Sequence, residues 1–73
     1  MVDYKNCTDS MFKRAMSMKN KAVDKIPISY LYILYTKYRA ESVKLKTVDK
    51  LKAAEARERK KKYWNELYRR KTE

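Results

Sequence analysis

No glycine occurs anywhere in this chain of 73 residues, and proline occurs once, at Pro27. Glycine is the usual residue for tight hairpin turns, bulges and phosphate-cradling loops, because it enters positive φ at little steric cost. A chain without it is directed towards helices joined by irregular connections. Pro27 fixes its own φ near the helical value and pushes Ile26 out of the helical region. One helix should therefore end before Pro27 and another begin at or just after it.

Upstream, Phe12, Ala15, Met16, Ala22, Val23 and Ile26 recur mainly at three- and four-residue intervals, and Asp9 or Ser10 is placed to accept the first free amides. This spacing predicts a helix over about 10–24, with Asn20 able to supply a left-handed cap near its end. Residues 1–8 have no periodicity and are expected to be a mobile N-terminus. Downstream, Ile28, Leu31, Tyr32, Tyr35 and Tyr38 form one helical stripe, while Tyr30, Ile33 and Leu34 occupy much of the other side. A helix over about 28–40 would thus be apolar nearly all round, and must be covered by both other helices or by another chain. The same residues also alternate as a strand would, but no second strand with a turn signal is available to pair with it. Thr47 followed by Asp49 marks the start of a third helix over about 48–70, rich in Ala, Glu, Lys, Arg and Leu. Val48 and Leu51 are expected to join the core, and Tyr63 with Leu67 to make a smaller contact of their own.

The expected fold is all-α: a small three-helix domain, residues 1–73, with a long and highly basic C-terminal helix. At this length the chain sits near the lower size at which one core suffices for folding. Its content of 44% hydrophobic residues is too high for a disordered tail, while a net charge of +11 leaves a surface of mutually repelling cations. An anionic partner would relieve that repulsion.

Between Lys46 and Glu73 stand eleven Lys or Arg against five Asp or Glu. On a helix the two signs separate. The side chains of Lys46, Lys50, Arg57, Lys60, Lys61, Trp64, Tyr68 and Lys71 project within roughly 60° of one line, and Glu55, Glu58, Glu66 and Glu73 project from the opposite side. One face is therefore basic and aromatic, with no carboxylate on it. Glu55 with Arg59, Glu58 with Lys62, and Glu66 with Arg70 stand in the favoured i,i+4 order, each pair adding about 0.2–0.5 kcal/mol to helicity.

That face predicts phosphate contact by its cations, with Trp64 or Tyr68 stacking on a base or lying against a sugar. The bland reading is a solvated face with Trp64 in the core. Nucleic acid, DNA or RNA, is the expected partner. The alternative is a small regulator or inhibitor, of the kind found as phage-type or mobile-element accessory proteins, that binds an acidic surface on a larger protein. In that reading Tyr30, Ile33 and Leu34 form a protein interface, and the same apolar helix makes a homodimer a further expectation. An interfacial membrane helix needs a continuous apolar face, which residues 55–62 do not provide.

The inventory argues against catalysis, cofactors and metals. There is no histidine, no glycine-rich loop and no metal-ligand cluster, and Cys7 is the lone cysteine. The N-terminus lacks a signal-peptide apolar region and the longest apolar stretch, from Ile26 to Tyr35, is interrupted by Pro27 and Ser29. A cytoplasmic protein is expected, or a nuclear one if the source is eukaryotic or viral.

Overall fold

The computed structural model describes residues 2–72; Met1 of the N-terminal segment and Glu73 of the acidic face lie outside the described residues. The elements run α1 (Asp9–Ser17), a 3₁₀ turn (Val23–Lys25), α2 (Ile28–Lys44) and α3 (Lys50–Thr72), with no strand among the described residues. The protein is all-α. α2 and α3 form the central antiparallel pair, and α1 and the 3₁₀ turn pack against it.

Pro27 acts as expected. Ile26 is extended, with ψ of 127°, and α2 begins at Ile28 with Leu31 donating to the Pro27 carbonyl at 2.9 Å. The other boundaries differ from the sequence expectation. α1 is capped by Thr8, whose hydroxyl accepts from the Met11 amide at 3.2 Å, rather than by Asp9 or Ser10. It ends at Ser17, well short of residue 24. Met18 and Lys19 then donate to the carbonyls three residues back, tightening the chain into turns, and no described residue has positive φ, Asn20 included. α2 runs four residues beyond residue 40. At α3 the cap is Asp49, whose carboxylate accepts from the Lys52 amide at 3.2 Å, and not Thr47.

The core is built from Ala15, Ile26, Leu31, Ile33, Leu34, Tyr38, Ala56, Tyr63 and Leu67. Here the structure corrects two expectations. Tyr63 and Leu67 belong to this main core rather than to a separate contact. Val48 and Leu51, expected inside, are 78% and 73% exposed. The helical period explains both. Stepping back seven residues from Tyr63 reaches Ala56, and stepping back from Leu67 by way of Lys60 reaches Ala53, so the inward line of α3 ends in alanines. Leu51 projects from the far side of that line.

The N-terminal segment, expected to be mobile, is tied to α2: the Tyr4 amide donates to the Thr36 hydroxyl at 3.1 Å, and Tyr4 and Cys7 pack against the core. The all-round apolar α2 is thus covered within the chain on several sides. Ile33 and Leu34 are fully buried and Tyr30 is half-buried against the core, so Ile33 and Leu34 present no surface of their own to a partner.

Candidate functional site

Besides its packing in the core, α3 is fastened by two arginines that do not belong to the basic line. Arg59 donates to the Lys19 carbonyl at 3.2 Å, and the Tyr63 hydroxyl donates to the same carbonyl at 3.1 Å. Arg59 also lies over the Tyr38 ring, 5.6 Å from its centroid. At the other end Arg70 donates to the Val23 and Asp24 carbonyls at 3.0 and 3.1 Å, fastening the last turns of α3 to the 3₁₀ turn. Arg59, matched in sequence to Glu55, is thus drawn across the fold, whereas the Glu66–Arg70 pair forms as expected, at 3.0 Å.

Glu66 is almost fully buried yet charged. Arg69 grips it with two hydrogen bonds, at 2.6 and 3.0 Å, and Arg70 adds a third; with Arg69 the larger cause, its pKa is held down to about 2. Burial raises the pKa of the Tyr38 and Tyr63 hydroxyls above its ordinary value.

With α3 so fixed, its inward line is Ala53, Ala56, Tyr63 and Leu67, and the basic line falls to one side of it. Lys50, Arg57, Lys61, Trp64, Tyr68 and Lys71 are exposed on α3, Lys60 is half-buried at the margin, and Lys46 is exposed in the connection from α2. Two depressions lie on this surface. A shallow hollow of about 260 Å³ is lined by Lys46, Lys50, Ala53 and Arg57, three cations around one buried methyl. About 20 Å further along the helix, at about 1.5 Å per residue, an apolar groove of about 490 Å³ runs between the end of α3 and the start of α2. Ile28, Tyr32, Trp64, Leu67, Tyr68 and Lys71 line it.

Trp64 is neither a core residue nor a loose one. Its ring meets Tyr35 at 5.3 Å between centroids, which fixes it, and it remains 49% exposed. Tyr35 in turn contacts Tyr32 at 6.3 Å. The structure therefore unites two sets that the sequence kept apart: the aromatic end of the basic line and the outer residues of α2. Ile28 and Tyr32 carried no functional signal in the sequence, because only the packing of α2 beside residues 64–71 makes them groove walls.

No known family matches the chain, and no curated protein or solved structure shows significant similarity to it. Among the described residues no helix is long and apolar enough to cross a membrane.

Proposed function

We propose that the protein binds nucleic acid, laying the exposed basic line of α3 along the phosphate backbone. The observation that supports this is the hollow in which Lys46, Lys50 and Arg57 converge with no carboxylate in its lining. Phosphate oxygens suit such a place, since cations grouped without counter-charge gain most from an anion that releases its own counterions on binding. Lys61 and Lys71 continue the line along the helix. Arg59 and Arg70 stand outside the interface, because their guanidinium groups are engaged with backbone carbonyls.

The alternative, a regulator that docks on an acidic protein surface, would use the same cations. It has less to rest on, since Ile33 and Leu34 of its expected apolar patch are buried.

Binding of a labelled duplex across a salt series tests the proposal. With five phosphate contacts, from Lys46, Lys50, Arg57, Lys61 and Lys71, log K should fall against log salt with a slope of about −4.5. Lys50→Gln or Arg57→Gln should each flatten that slope by about 1. Absence of binding to any nucleic acid at about 50 mM salt would sink the proposal.

A further inference from the structure

We infer that the groove between the start of α2 and the end of α3 takes an unpaired base, so that the preferred ligand is a single-stranded nucleic acid. The inference rests on the nucleic-acid reading above and goes beyond it, because a backbone-binding helix alone would accept duplex and single strand alike. Four observations carry it. Three of the six groove-lining residues, Tyr32, Trp64 and Tyr68, are aromatic, and its volume of about 490 Å³ falls within the range of about 300–1,000 Å³ typical of sites for small organic groups. Trp64 is backed by Tyr35, so its indole is positioned before any ligand arrives, with about half its surface open. The only charge in the lining is a cation, Lys71. The nearby carboxylate of Glu66 is turned to Arg69 and Arg70.

A base in a duplex has both faces covered by its neighbours and can offer such a groove nothing. An unpaired base has two free faces, and stacking on aromatic side chains is tolerant of its identity. The phosphates on either side of that base would meet Lys71 and Lys61, and the strand would run along the basic line to the hollow formed by Lys46, Lys50 and Arg57. Aromatic groove and cationic hollow, about 20 Å apart, fit the site sizes of about 4–16 nucleotides found for stacking platforms on charged tracks.

Trp64 is the single tryptophan of the chain, so its emission reports on this groove alone. Titration of the full chain with an oligothymidylate or an oligouridylate of about 12 nucleotides should quench that emission, and a self-complementary duplex of equal length should not. Tyr68→Ala removes a half-exposed ring and should weaken single-strand binding by about 5- to 150-fold and duplex binding by much less, so that the preference for single strand shrinks. Lys50→Gln should weaken both ligands and leave the quench at saturation intact. Salt-dependent binding without a change in Trp64 emission, or equal affinity for duplex and single strand, would overturn the inference and leave the proposed function standing. Failure of every nucleic acid to bind would remove both. A blue shift of Trp64 that grows with protein concentration alone would place a second copy of the chain in the groove, and would also overturn it.

Discussion

Three arginines of α3 look alike in the sequence and do different work. Arg57 is exposed beside Lys46 and Lys50, whereas Arg59 and Arg70 are spent on carbonyls of the segment between α1 and α2. No residue of that segment, Asn20 included, takes up the left-handed conformation that commonly closes a helix, and its carbonyls find partners 40 to 47 residues away. Glu66 holds Arg70 in place for this task, and its pKa of about 2 lies below the ordinary 4.5. A carboxylate with a depressed folded pKa stabilises the fold above its unfolded value, and that contribution disappears as pH falls from about 4.5 towards 2. The urea midpoint of the native chain should therefore drop more steeply over that window than the midpoint of Glu66→Gln. Parallel pH profiles would mean that Arg69 and Arg70 do not hold the carboxylate.

The buried line of α3 is small at one end and large at the other. Ala53 and Ala56 are buried, and beyond them Tyr63 and Leu67 are buried too. Ala56→Leu should cost about 1–3 kcal/mol by overpacking, while Ala54→Leu, on the exposed side of the same turn, should stay within about 0.5 kcal/mol; urea unfolding of both variants measures the difference. The alanine line also explains what the sequence revealed and what it concealed. Three helices, the break at Pro27 and the cationic face of α3 follow from local rules of propensity, spacing and side-chain direction. The inward direction of α3 does not, because Val48 and Leu51 offered larger apolar side chains than Ala53 and Ala56 and so drew the eye to the wrong face. The end of α1 at Ser17 was equally hidden, since the hydrogen bonds to Lys19 that secure the following turn come from Arg59 and Tyr63. Burial of Ile33 and Leu34 depended on whether α2 would be covered from within, and the N-terminal segment, through Tyr4 and Thr36, helps to cover it. The aromatic groove is the same kind of case: its two walls are more than thirty residues apart in the chain.

At the scale of the whole molecule the governing quantity is the net charge of +11 within extents of 35 × 27 × 19 Å. The radius of gyration is 12.0 Å, against about 26 Å for an unfolded chain of this length. Folding thus brings the cations together, and repulsion among them opposes the folded state. At about 10 mM salt the Debye length of about 30 Å spans nearly the whole molecule, and at 150 mM it shrinks to about 8 Å. Thermal unfolding in sodium chloride should accordingly move upward over that interval, each 1 kcal/mol of relieved repulsion raising the midpoint by roughly 4–8 °C. The Glu66 pairs resist this screening because the carboxylate is buried. Replacing Lys50, Arg57 and Lys61 together by Gln should raise the midpoint at low salt, with the difference from the native chain vanishing at high salt, and should cost affinity for nucleic acid at the same time. A protein that keeps destabilising cations on one exposed face gains stability when an anion covers them, and ligand binding and charge removal then stabilise through the same term. If the triple variant is instead less stable at low salt, those side chains hold the fold together, and the basic face is a structural surface rather than a binding one.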